Sequence, residues 1–380
     1  MSSQEGSPEA SNQRNGSGEH EGGRLGFFLC WAVVFADIGT SVYYTPGILF
    51  HQVGRLAGLF VTLTMAVFIL LTLKYSEVTY RYPQGGGVVT VSANAMRPWV
   101  GALGGMFILV DYFLTAAISS LSGLFYFSVV APAISPWVLP ITIVIVALLG
   151  VLNWWGVSES ASVSAVGAVI AFISDIAILI EVFANVPLSK ILQVFTEIFS
   201  GSHLTPVALL TGFAGSFLAF SGLESISQLS PVMKTPRKRT ARLALLLVVI
   251  TVGITSPLLT IFSTTLLNAA EADPNQFISL LAGHFNTILG IEVAISASAL
   301  LIFASNTAII GSYHVFLALS RMSFFPAIVE KRDKFRGTPV VSIALATGIP
   351  IAILIAANGQ IDLLGQLYAF GLLGAFALTC

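Results

Sequence analysis

The feature that most constrains this chain is a series of long apolar runs, each near the about 20 residues a helix needs to cross a bilayer. Ten such runs are read from hydropathy, at about 25–50, 56–80, 99–132, 137–155, 161–185, 205–229, 240–264, 287–316, 339–357 and 361–380. Proline and glycine punctuate most boundaries, as in Tyr82-Pro83-Gln84-Gly85-Gly86-Gly87 and Leu204-Thr205-Pro206. Only 9% of the residues are charged, against about 25% in an ordinary soluble domain. No soluble core absorbs that much apolar surface, so the expected fold class is an all-α polytopic membrane protein.

Residues 1–24 are the exception, rich in Ser, Gly, Glu, Asn and Gln. A stretch that apolar-poor buries too little surface to fold and reads as a disordered tail, leaving 25–380 as one transmembrane domain. No charged segment followed by a short apolar core and cleavage site precedes it. Cys30 and Cys380 both fall in apolar runs, which gives no disulfide framework. The last run reaches Cys380 without a polar flank, the pattern of a C-terminally shortened chain. Of the 17 basic residues, all but Arg55, Lys74 and Lys190 lie in the tail or in loops on its side. That bias predicts a multi-pass protein of the cell membrane with the N-terminus in the cytoplasm, and it makes the Lys234–Arg242 cluster a topological signal. The tail's sequon, Asn15-Gly16-Ser17, is discounted on the same ground.

The first run is interrupted in its middle by Asp37-Ile38-Gly39-Thr40-Ser41. A carboxylate at that depth is costly and usually faces a cavity or a partner. Gly39 is a poor helix former, and Thr40 and Ser41 offer the backbone alternative hydrogen bonds. An unwound turn is expected there, of the kind that membranes tolerate only where protein or a water-filled cavity satisfies it. The plainer alternative is a kinked helix whose Asp37 pairs with a basic neighbour. A second interruption argues against it. The sixth run carries Phe220-Ser221-Gly222-Leu223-Glu224-Ser225 in mid-span, so the first helix of each group of five is broken. Five helices separate the copies, which inverts the second; paired broken helices of this kind place a transporter's site between them.

In the third run Tyr112, Thr115 and Ser119 share one helical face. Their oxygens can solvate a cation without adding charge, although Ser and Thr are also ordinary at close helix contacts. Asp111 adjoins the stripe but is expected to point elsewhere. Asp175, Glu181 and Glu292 are further acids within apolar runs, and Glu77 is expected to pair with Lys74 at i, i+3. Glu224, at the second break, is the leading proton carrier, with Asp37 its alternate, because an acid at membrane depth is costly to keep charged. Asn153-Trp154-Trp155-Gly156 reads as a helix end with interfacial aromatics. Enzyme signatures are missing: there is no HExxH, paired CxxC, Walker loop or GxSxG, and no histidine pair has ligand spacing. No cofactor and no nucleic-acid partner are expected.

The order Ala36-Asp37-Ile38-Gly39-Thr40-Ser41, Pro83-Gln84-Gly85-Gly86, Asn153-Trp154-Trp155-Gly156, Phe220-Ser221-Gly222-Leu223-Glu224-Ser225 and Gly337-Thr338-Pro339-Val340-Val341 resembles the amino acid–polyamine–organocation superfamily. Within it, Asp37-Ile38-Gly39-Thr40-Ser41 is similar to the KUP-type potassium–proton symporters and their KimA-like relatives. The resemblance spans about 25–380 and implies the five-plus-five inverted-repeat (LeuT-like) transporter fold, with helices 1 and 6 discontinuous. It implies proton-coupled potassium uptake by alternating access, with the cation held by Asp37, Tyr44, Tyr112, Thr115, Ser119 and Tyr368. Ser221 stands at a hydroxyl position where the family pattern has threonine. Gly39 and Thr40 join the set through the break, and Glu224 as the proton-coupling group. After Ser41 the chain departs from the proline-containing KUP continuation, with Val42-Tyr43-Tyr44 instead. An amino acid permease is therefore the second reading and a non-transporting membrane receptor the third. A homodimer is left open.

Overall fold

The computed structural model describes residues 25–85, 87–156, 161–198, 205–267 and 272–379. The expected tail over 1–24, with its sequon, and Cys380 lie outside them. In the first half, α1 (Phe27–Ile38) and α2 (Ser41–Val53) form one broken crossing, followed by α3 (Ala57–Arg81), the short α4 (Gly87–Ala95), α5 (Pro98–Val130), α6 (Val138–Trp154), α7 (Ala161–Asn185) and α8 (Leu188–Glu197). The second half opens on another broken crossing, α9 (Pro206–Ser216) and α10 (Ser225–Gln228), then α11 (Arg237–Leu266), α12 (Phe277–Phe285), α13 (Thr287–Arg321), α14 (Val340–Ala356) and α15 (Ile361–Thr379). Among the described residues, 8 stretches are long and apolar enough to cross a membrane. The first, Phe27–Arg81, runs through α1, α2 and α3, and Val340–Ala356 is a shorter apolar helix.

Capping and proline explain several helix starts. Thr205 Oγ1 accepts from the Ala208 amide at 3.1 Å, with Pro206 at the first helical position. Asn286 Oδ1 accepts from the amides of Ile288 and Leu289 at 3.1 and 3.3 Å and so opens α13. One face of α7 exposes Val163, Val166, Ile170, Ile173, Ile180 and Phe183, an outward apolar stripe at helical spacing that suits lipid.

The packing follows the repeat. α3 lies against α11, α5 against α13 and α6 against α14, each crossing against its counterpart in the other half. Likewise α1 leans on α7, and α9 with the turn after it leans on α15. Small residues permit the closest approaches, since hydrocarbon gives helices no hydrophobic reason to associate and close contact must supply it. A Cβ at Gly371 of α15 would stand 2.9 Å from Val110 Cγ1 of α5. Glu77 pairs chiefly with Arg81, at 2.6 Å, while the expected partner Lys74 stands at 4.0 Å. The i, i+4 partner one turn on is the better placed of the two. At the end of α6, Arg336 stacks 4.5 Å over the Trp154 ring.

Candidate functional site

The two breaks differ in form. At the first, Gly39 (φ −61, ψ −26) and Thr40 (φ −63, ψ −28) keep right-handed helical backbone, so the interruption is narrower than the unwound turn expected from sequence. It arises from competition for carbonyls: Thr40 Oγ1 donates to Asp37 O and Ser41 Oγ to Ile38 O, each at 2.6 Å. The amides of Val42 and Tyr43 then reach back only three residues, to Gly39 O and Thr40 O. The second break is wider. A 3₁₀ turn over Phe217–Phe220 gives way to extended backbone at Ser221 (φ −62, ψ 142) and to Gly222 at φ +98, a conformation for which glycine is the default residue.

The breaks meet. Ser41 Oγ also donates to Ala219 O at 2.9 Å. A Cβ placed on Gly222 would fall 2.8 Å from Asp37 Cγ and 3.0 Å from Asp37 Oδ2. The second break therefore lies directly against the carboxyl group of the first.

Beside this contact is a cavity of about 90 Å³. Asp37, Tyr112, Thr115, Ser221 and Glu224 all line it. Tyr368 stands behind them, its hydroxyl hydrogen-bonded to Thr115 Oγ1 at 2.5 Å and to Ser221 Oγ. Tyr44, buried, lies by Tyr368 and within electrostatic reach of Asp37. Gly39 and Thr40 shape the turn that carries Asp37. Ser119 does not line the cavity; it is fully buried, and its Oγ has no hydrogen-bond partner among the described residues.

Asp111 corrects the expectation that it points elsewhere. It is fully buried and faces Glu224 and Tyr368, with Asp37 near. Neither of its carboxylate oxygens has a hydrogen-bond partner in good geometry among the described residues. The physical reason is simple: Asp111 and Thr115 are four residues apart and share a helix face. The Thr115 hydroxyl donates to Asp111 O at 2.9 Å. The stripe through Tyr112 thus has a second, acidic edge.

Four further contributors had gone unread. Gln228 Nε2 donates to the Tyr112 hydroxyl. Thr307, Gly311 and His314 come from α13, and their i, i+4, i+7 spacing was a legible signal. Gly311 lets Tyr112 sit close, since a Cβ there would be 2.6 Å from Tyr112 Cε2. A second cavity, about 250 Å³, shares Gln228, Gly311 and His314 with the first and continues past Gln84, Gly85 and Pro231. It leads to the face that carries Arg81 and Lys234, called the basic face below.

Electrostatics restrict what this place can hold. Asp37, Glu224 and Asp111 bring three carboxyl groups to membrane depth, and no lysine or arginine lines the cavity. The remaining polar groups are hydroxyls, one amide and the His314 ring. Among the described residues no group of three or more His, Cys, Asp and Glu has the arrangement of a metal centre. The chemistry available is that of hard oxygens around a small positive charge, with carboxyl groups able to take up protons.

The profile of a family described as "Amino acid permease" matches residues 25–380. The potassium transporter KimA of Bacillus subtilis is 29% identical over 326 residues, 83% of this chain and 52% of KimA. The chain thus spans about half the length of that relative. A probable potassium transport system protein, Kup 3 of Rhizobium johnstonii, is 36% identical over 149 residues, 34% of this chain and 24% of Kup 3. The low-affinity putrescine importer PlaP of Escherichia coli is 23% identical over 363 residues, 89% of this chain and 76% of PlaP. Among solved structures, a Na+-coupled sialic acid symporter superposes with TM-score 0.54 at 14% identity, over 91% of this chain and 73% of the symporter. MhsT bound to L-phenylalanine gives 0.53 at 13% identity, over 94% of this chain and 98% of MhsT. Those likenesses show the fold, the inverted-repeat arrangement with broken first and sixth crossings.

Proposed function

The chain belongs to the amino acid permease family of membrane transporters in the amino acid–polyamine–organocation superfamily, and from that premise we propose that it carries a potassium-sized monovalent cation, with proton coupling, by alternating access. The observation that carries this reading is the union of Asp37 with neutral oxygens in one small cavity: Tyr112, Thr115 and Ser221 line it, with Tyr368 and Tyr44 behind. Asp37 supplies one full negative charge and the hydroxyls supply dipoles, which together replace a cation's hydration shell. Glu224, buried on the same wall with Oε2 unpartnered among the described residues, is a proton carrier, and Asp111 is its neighbour in charge. Ser119 lies one turn further along α5, away from the wall. With the N-terminus in the cytoplasm, the second cavity is the inner half of the route.

The competing cargo is an amino acid or polyamine. An amino acid needs its carboxylate met at a helix N-terminus, and Asp37 and Glu224 on a wall without lysine or arginine oppose that group. A polyamine would suit the charge, but a cavity of about 90 Å³ is small for it.

Rubidium, as a potassium tracer, tests the reading with protein in liposomes. Asp37→Asn keeps shape and removes the charge. Coulomb attraction at about 3 Å is roughly 5–6 kcal/mol at an effective dielectric near 20, before desolvation. A net loss of about 2–3 kcal/mol weakens binding roughly 30- to 150-fold. Tyr112→Phe, which removes one neutral oxygen, loses about 0.5–1.5 kcal/mol. Asp37→Asn is therefore the more damaging of the two at equal monodispersity. Rubidium bound as tightly by Asp37→Asn as by the parent sinks the cation reading. Uptake of amino acids with no rubidium flux moves the chain to the permease reading.

A further inference from the structure

A second acidic group lies apart from the cavity, toward the face opposite the basic one. Asp175 of α7 is 1% exposed. Tyr43 of α2 and Thr255 of α11, both fully buried, face it. The Tyr43 hydroxyl, Thr255 Oγ1 and Asp175 Oδ1 have no hydrogen-bond partner in good geometry among the described residues. One residue earlier on α7, Ser174 Oγ donates to the carboxylate of Glu292 on α13, at 2.8 and 3.0 Å. Glu292 is half-buried and lies in the second turn of α13. Nearer that end, Glu181 Oε1 accepts from Asn286 Nδ2 at 3.2 Å.

The acids thus grade in burial from Glu292 inward to Asp175. The groups that face Asp175 are few. From α2 comes Tyr43, from α13 Glu292 and from α11 the untitratable Thr255. Tyr126 of α5 lies one ring further, edge-on to Tyr43 at 5.5 Å. From α1, the rings of Trp31 and Phe35 pack against Phe172. No salt bridge to Asp175 or Glu292 occurs among the described residues.

We propose that Asp175 is a proton-holding site loaded from the face opposite the basic cluster, with Glu292 as its entry. Ionised, Asp175 accepts from Tyr43 and Thr255. Protonated, it is neutral and donates its own O–H while its other oxygen still accepts. The proton comes from water at the outer end, through Glu292, and no other group changes its covalent state. Tyr43 ties the site to the main cavity: its helix neighbour Tyr44 reaches Tyr368 and Asp37. A proton, unlike a second metal cation, needs no void of its own.

This inference rests on the cation reading for its transport assay but not for its spectroscopic one. The full chain in liposomes is assayed with rubidium in two modes, exchange at equal pH on both sides and accumulation driven by an imposed pH gradient. Asp175→Asn is expected to leave exchange and the number of bound rubidium ions within twofold of wild type. Gradient-driven accumulation is expected to fall at least tenfold, and several-fold in Glu292→Gln. Unchanged accumulation overturns the proposal; so does loss of one bound rubidium, which would make this a cation site, and so does loss of exchange, which would make Asp175 structural. If the wild type exchanges no rubidium, the cargo reading falls and infrared spectroscopy decides alone. A carboxyl band that titrates in wild type and vanishes in Asp175→Asn supports the proton site, and absence of such a band overturns it. Should Asp175→Asn not fold, Thr255→Val, which leaves the charge in place, must shift the midpoint of that band; an unmoved midpoint refutes the proposal.

Discussion

Gly222→Ala is the sharpest perturbation of the contact between the two breaks. Gly222 has φ +98, where a side chain is strained by roughly 1–3 kcal/mol. The new Cβ would lie 2.8 Å from Asp37 Cγ and 3.0 Å from its Cβ, closer than carbon atoms approach. Relief requires Asp37 to move by about 1 Å, since optimal carbon separations are about 3.5–4.0 Å. Drawing the carboxylate back from about 3 to about 4 Å from a bound cation reduces attraction from roughly 5.5 to 4 kcal/mol at an effective dielectric near 20. That difference is about tenfold in affinity. The assay is rubidium binding to the purified protein, run with thermal unfolding to separate affinity from stability. A cycle with Asp37→Asn isolates the route of the effect: once the charge is gone, Gly222→Ala must have little further effect on binding. Full additivity in the double variant, or wild-type affinity in the single one, refutes the reasoning.

The remaining expectations follow from the same geometry. Gly311→Ala would set a Cβ 2.6 Å from Tyr112 Cε2 and push the ring into the cavity, so rubidium affinity should fall about tenfold, a change of about 1.4 kcal/mol. Gly348→Ala, with nothing within 4 Å, is the control and should bind as wild type. Ser41→Ala removes the one hydroxyl hydrogen that Ile38 O and Ala219 O share, worth about 0.5–1.5 kcal/mol. It should lower the unfolding temperature, while a wild-type melting curve would show that this link between the breaks carries no stability.

Much of the fold was legible because hydrocarbon leaves few choices: apolar length fixes the crossings and broken runs fix where the helices stop. Asp37 and Gly222 were legible for the same reason, as polar or flexible residues in a place that tolerates neither without a use. Helix rotation was not legible. Whether Asp111 or Ser119 turns toward the cavity depends on how α5 seats against α13 and α15, contacts far apart in sequence. Gln228 was hidden by its position after the break, where helical spacing no longer predicts direction. The width of the first break was misjudged because Thr40 and Ser41 satisfy carbonyls without unwinding the backbone.

On the proposed reading, the two breaks divide the work of coupling. The first holds its backbone in helical form and presents the charge; the second gives up helical backbone so that Gly222 can lie against that charge. Any motion of the first crossing relative to the second must therefore change the Asp37–Gly222 gap and the Ser41–Ala219 bond together. Occupancy of Asp37 and the relative position of the repeats become one coordinate. Moving a two-state equilibrium from 1:99 to 99:1 takes about 5.5 kcal/mol of differential binding. On the cation reading, the gross attraction of one cation to Asp37 is roughly of that size before desolvation is subtracted, so one cation alone falls short after subtraction. On the same reading a proton held on Glu224 adds its own differential binding to the total, which is a physical reason for coupling the two ions.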